Sequence, residues 1–226
     1  MLSTLHSQLA LALAHQSAEP LALVCIFFSH FETQEQPLHN AGYVQEVLAR
    51  MQHHVITDPA GQINITLDNN TATFPVDQAI NLDFSHDANI ISILVAFGLT
   101  QFADHLPTSH IKDDREFVMS YLMPFAGRLD IEIIKTPAPV NPNRSAKKIY
   151  LDGAPTSYVH FVLNQRTIPL GRSHRDCGDR DDGWCEMDTF LNVMEKQIEL
   201  ADYDYACFGD YDAPAYGDIT DGRPIR

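Results

Sequence analysis

The sequence predicts an α/β domain, and three observations carry that reading. The 226 residues are 45% hydrophobic, enough for one sizeable core or for part of a larger one. The stretch NLDFSHDANIISILVAFGL, residues 81–99, joins a strand-like run to a nearly all-apolar helical run within four residues. Two further strand-like segments, 125–134 and 158–164, are bracketed in sequence by two amphipathic helical patterns.

In chain order, residues 1–36 differ from the rest, being Leu-, Ala- and His-rich with no Lys or Arg before Arg50. That missing positive region argues against a secretory leader, although Ala12-Leu13-Ala14 has the form of a cleavage tripeptide. From Gly42, GYVQEVLARMQHH puts Val44, Val47, Leu48 and Met51 on one helical face. The turn-rich segment 56–75, with its Pro-Ala-Gly and Asp-Asn-Asn clusters, reads as a solvated loop.

Ile80 to Phe84 reads as a short buried strand. In the helix that follows, Asn89 to Leu99, only Asn89 and Ser92 are polar before Gly98, which is placed to end it. FAGRLDIEII (125–134) and YVHFVLN (158–164) alternate as strands, with Gln165-Arg166 turning into TIPL. TPAPVNPNRSAKK (136–148) is an exposed connection. Met187, Phe190, Leu191, Met194 and Ile198 form one face of a final helix over 185–200. The acidic, Tyr- and Gly-rich end reads as a solvated tail, because its Asp pairs lack the spacing and closing Glu of a calcium loop.

Composition narrows the function classes. Lys and Arg number 15 against 30 Asp and Glu, a formal charge of −15, which repels polyanions and speaks against nucleic acid as a partner. The 11 histidines gain charge below about pH 6.5, so that deficit shrinks in acid. The apolar runs at 9–14 and 21–28 fall short of the roughly 20 residues of a membrane span. Sequons at Asn64, Asn69 and Asn143 point to an extracellular, glycosylated protein. Cys177 and Cys185 enclose a short polar loop; a bridge would add about 2.5 kcal/mol on the loop-closure argument, and neither spacing nor a histidine pair favours zinc. Cys25 and Cys207 have no spacing logic that joins them.

His86 and Asp87 stand at the mouth of the apolar helix, and two accounts compete for them. An Asp just before a helix is a preferred N-cap, worth about 1 kcal/mol, with the histidine filling space beside it. The same place is also a phosphate seat, because the first turn offers unpaired N–H groups and the positive end of the dipole. There a histidine can hold a phosphoryl oxygen, and an adjacent acid can hand a proton to a departing alkoxide.

DFSHDANIISILVAFGL resembles the second active-site motif of the histidine acid phosphatases, in their fungal phytase-like branch. GYVQEVLARM, ATFP, MPFAGRLDIEI, VLNQRTIPL and the Cys177/Cys185 spacing resemble that branch in the same order, from about Gln36 to about Phe208. The resemblance implies the C-terminal portion of a histidine-phosphatase-like α/β sandwich with an incomplete sheet. Residues 1–36 are then an unmatched segment, 37–208 the domain portion and 209–226 the tail. It also implies a secreted acid phosphatase or phytase that needs no cofactor and acts on phosphomonoesters or inositol phosphates. Asp87 would be the proton donor, His86 a phosphate contact, and Cys177–Cys185 a disulfide.

The chain departs from the family in several places. Ala88 follows Asp87 where the branch often has Asn, and no cysteine stands near Thr136. The R-H-G-x-R-x-P motif, whose histidine attacks phosphorus and whose arginines clamp the phosphate, does not occur in these residues. The expectation that follows is a truncated or inactive form. Its alternative is a non-catalytic fold remnant that binds anions or a partner chain. His174-Arg175-Asp176 does not make a protein kinase, since no glycine-rich loop or Asp-Phe-Gly accompanies it.

Overall fold

The structure, a computed structural model, describes residues 41–59, 63–103 and 109–201. Residues 1–36, Cys25, Cys207 and the C-terminal tail lie outside the described residues. The chain divides into two compact units, Met1–Val76 with Ile198–Arg226, and Asp77–Gln197.

In the first unit, helix α1 (Ala41–Met51) buries Val44, Val47 and Leu48 of the face that its period predicts, with Ala49 buried beside them and Met51 half-buried. It closes where His54 N–H reaches back to the Ala49 carbonyl, with His53 in the left-handed region at φ 56. The solvated loop expected over 56–75 holds for most of the described segment but not for all of it. Helix α2 (Ile65–Asp68) forms there, and Ile56, Phe74 and Val76 pack with Ala49 into a small core. Their apolar side chains are too widely spaced to show a period, so turn residues dominate the sequence pattern. Arg50 covers this core, its guanidinium 5.0 Å from the centre of the Phe74 ring.

The second unit is built on an antiparallel sheet. Strands β1 (Leu129–Thr136), β2 (Thr156–Leu163) and β3 (Arg166–Ile168) lie in that order, and β4 (Cys185–Glu186) also pairs with β2. Helices with an open sheet agree with the α/β class. The β2–β3 turn is Asn164-Gln165, at φ 49 and 67, as a two-residue hairpin of this hand requires. Arg166 therefore belongs to a strand and not to the turn.

Helix α3 (Asp87–Ala96) supplies the core's other wall, and the short helix α4 (Met119–Leu122) follows it in the chain. Ile91, Leu94, Val95 and Ala96 are buried, as is Ser92. Its end is a Schellman closure: Gly98 N–H donates to Val95 O at 2.8 Å, Leu99 N–H to Leu94 O at 3.0 Å, and Gly98 has φ +64. Phe97 then meets Phe161 of β2 edge-on, with centroids 4.9 Å apart. Phe190, on helix α5 (Met187–Ala201), completes the aromatic cluster at 5.6 Å from Phe161. Cys177 and Cys185 are joined as a disulfide with Cα atoms 4.7 Å apart.

Ile80–Phe84 does not form the expected buried strand. No described strand pairs with it, and Ile80, Leu82 and Phe84 are 75%, 73% and 92% exposed. Its apolar alternation is real, but a strand needs a neighbouring backbone, and alternation cannot report whether one is present.

Candidate active site

An extended, exposed segment leads from Asn81 to Ser85 into the first turn of α3. His86, not Asp87, occupies the N-cap position, with φ −102 and ψ 161, and Asp87 is the first helical residue. The Asp87 side chain lies outside the described residues. His86 is exposed and makes no capping hydrogen bond to its own helix. Imidazole is a poor capping group where Ser, Thr, Asp and Asn are preferred, so a histidine here is not explained by helix stability. Asn89 ties the turn down instead: its side-chain amide donates to the Ser85 hydroxyl, and its N–H donates to the His86 carbonyl at 3.1 Å.

The neighbouring loop is held by small residues. A Cβ on Gly127 would lie 3.2 Å from Ile90 Cδ1, so the absence of a side chain lets the loop approach the first turn of α3. Asn164 clamps that loop from the hairpin. Its amide donates to the carbonyls of Tyr121 and Leu122 at 2.8 and 3.1 Å, and its Oδ1 accepts from Arg128 N–H at 2.8 Å. The Arg128 guanidinium, one residue from the Gly127 contact, pairs with Asp130 at 2.9 Å.

The far end of α3 is anchored by His174. Its Nε2–H donates to the Phe97 carbonyl at 2.8 Å, and the ring is 5% exposed. Burial pushes this imidazole below its ordinary range, while the Phe97 carbonyl and the Asp176 carboxylate oppose that shift. Gln101 N–H donates to Ser173 Oγ at 3.1 Å, a second tie between the same segments.

Among the described residues, no group of three or more His, Cys, Asp or Glu is placed to hold a metal ion. No described helix is long and apolar enough to cross a membrane. The sequon residues Asn64, Asn69 and Asn143 are all exposed. Asn64 Oδ1 accepts from Thr66 N–H at 3.2 Å, and Asn143 Oδ1 accepts from Ser145 N–H at 2.8 Å. Sequence reading missed the clamp at Asn164 and a carboxylate–imidazole–hydroxyl row of Glu132, His160 and Thr167. Strand register, which no single segment encodes, sets Glu132 directly across from His160.

Residues 25–164 match the sequence profile of the histidine phosphatase superfamily (branch 2). Phytase A of Aspergillus awamori is 32% identical over 161 residues, 70% of this chain and 30% of that protein. Phytase A of Aspergillus terreus is 29% identical over 161 residues, with the same coverage of each chain. Phytase A of Arthroderma benhamiae is 30% identical over 164 residues, 70% of this chain and 32% of its own. The matched stretch thus spans about a third of the length of these relatives.

Proposed function

Since the chain belongs to the histidine phosphatase superfamily, branch 2, we propose that it carries the leaving-group side of a phytase-like phosphomonoesterase site. The observation that carries the reading is His86 at the N-cap of a ten-residue buried helix, exposed and not capping, with Asp87 as the next residue. A phosphate seated there meets the positive end of the dipole and the imidazole together. Asp87 gives its proton to the ester oxygen as the P–O bond breaks, so an alcohol departs instead of an alkoxide. It regains a proton from the water that later attacks phosphorus. A dianionic substrate keeps Asp87 protonated by like-charge repulsion.

The attack itself belongs to a histidine of the R-H-G-x-R-x-P type, which these 226 residues do not contain. The substrates proposed are inositol phosphates and other phosphomonoesters in acid, where protonated histidines reduce the negative field. An extracellular, glycosylated protein agrees with the exposed sequons and with fungal Phytase A relatives.

A leaving-group series tests the donor. In a longer protein that adds the R-H-G-x-R-x-P histidine to these residues, Asp87→Asn should slow hydrolysis of glycerol phosphate about 100-fold or more and that of p-nitrophenyl phosphate far less, because p-nitrophenolate departs without a proton. Equal slowing of both, or of neither, removes Asp87 from that role. One observation favours the second reading, a non-catalytic partner-binding domain: Ile80, Leu82 and Phe84 present alternating apolar side chains to solvent. That reading predicts a stable complex with a second polypeptide and no phosphate binding.

A further inference from the structure

The sheet has two unlike faces. Val159 and Phe161 of β2 are buried, Phe161 against Phe97 and Phe190, and strand alternation turns His160 to the opposite side. There Glu132 is the direct cross-strand partner of His160, while Thr167 pairs with Val162, one side-chain period away. Glu132 Oε2 lies 2.8 Å from His160 Nδ1, and His160 Nε2 lies 2.9 Å from Thr167 Oγ1.

We propose that Glu132, His160 and Thr167 form a second reactive site, in which the Thr167 hydroxyl is a nucleophile toward activated acyl esters. The tautomer follows from the partners. An ionised carboxylate only accepts, so Nδ1 carries the hydrogen of the neutral ring and Nε2 turns its lone pair to the hydroxyl. This is the arrangement in which imidazole takes a proton from an attacking oxygen and a carboxylate steadies the resulting cation.

Two neighbours support the role. A Cβ on Gly183 would stand 2.7 Å from Thr167 Cγ2, so the missing side chain makes room for the methyl group with Oγ1 aimed at the ring. The Trp184 ring lies 6.1 Å from that of His160 and offers an apolar wall to an ester. Thr167 is exposed, and the Glu132 side chain is 53% exposed, so a reagent reaches the row.

In the reaction, Thr167 Oγ1 bonds to the carbonyl carbon and its proton passes to His160 Nε2. The bond from that carbon to the leaving oxygen then breaks, and the alcohol or phenol departs with the proton. Thr167 sits on a strand and not on the strand-to-helix turn where hydrolases build an oxyanion hole. The product is a Thr167 ester, one per chain.

The test is incubation of the intact chain with p-nitrophenyl acetate, read by peptide mass spectrometry, with the melting midpoint of each variant as a check on folding. Thr167 should be acetylated at least about tenfold faster than the other threonines, falling about 100-fold in His160→Gln. Glu132→Gln, a substitution at a half-exposed carboxylate, should slow it about tenfold or more, and remains informative if His160→Gln does not fold. Labelling of Thr167 at the background rate overturns the proposal, as does an unchanged rate in folded Glu132→Gln. So does acetyl transfer to His160 that is unaltered in Thr167→Val.

Discussion

His174 Nε2 lies 2.8 Å from the carbonyl oxygen of Phe97, and this bond ties the segment before the disulfide to the end of the helix whose other end carries His86. The tie has a pH cost. Burial lowers the folded-state pKa of His174, against the Phe97 carbonyl and Asp176, so the unfolded chain takes up its proton first as pH falls. Stability is whole above the unfolded value near 6.5 and is lost as pH falls toward the folded value, by at most about 1.4 kcal/mol per pH unit. His174→Gln should flatten the acid limb of the melting midpoint between pH 6.5 and 4 while lowering the midpoint at pH 7.5. An acid limb parallel to the wild type would remove His174 as its source.

Phe97, Phe161 and Phe190 are each 0% exposed and meet one another across helix, strand and helix. Phe97→Ala opens a cavity that the sheet and α5 cannot close together, and should cost about 3–5 kcal/mol in urea unfolding. A loss below about 1 kcal/mol would mean that the cluster is not a core.

The Cys177–Cys185 loop is small and tightly built. Replacing both cysteines with Ser should remove about 2.5 kcal/mol by restoring freedom to the unfolded chain. Gly171→Ala should cost as much or more, because its Cβ would lie 1.8 Å from the Gly178 carbonyl oxygen, a backbone atom that cannot swing aside. Thermal melts of the two variants, with and without reductant, separate these effects.

The Asn164-Gln165 turn predicts a gain. Gln165 holds φ 67 with a side chain that disfavours it, so Gln165→Gly should stabilise by about 0.5–1 kcal/mol. Asn164→Gly should destabilise instead, since three hydrogen bonds of its side chain hold the 121–128 loop. Opposite signs in denaturant unfolding are the expected pattern, and equal signs would contradict it.

Periodic segments were legible from the residues alone. The α1 face, the β2 strand, the α5 face and the Gly98 stop all rest on local spacing, and the structure shows each where that spacing puts it. Strand ends shifted by a few residues: β1 runs Leu129–Thr136 where alternation suggested 125–134, because Pro124 and Gly127 close a turn first. Two larger misses share a cause. Whether Ile80–Phe84 is buried, and whether Phe74 finds Ile56, depends on which backbone arrives from elsewhere, and neither segment encodes its neighbour. The proposed site rests on a motif legible in the sequence, His86-Asp87 before an apolar helix. The capping position was off by one, because the identity of Asp suggests a cap more strongly than that of His.

The most direct test of the phosphate seat needs no turnover. Inorganic phosphate, then inositol hexakisphosphate, is titrated into isotopically labelled chain at pH 5, while the His86 ring and the amides of Ala88 and Asn89 are followed by nuclear magnetic resonance. The account predicts saturable shifts at these positions that weaken about tenfold in His86→Ala, with His174 and the Cys177–Cys185 loop unmoved. Signals at the start of α3 that stay fixed in the folded wild type, or move identically without His86, would contradict it.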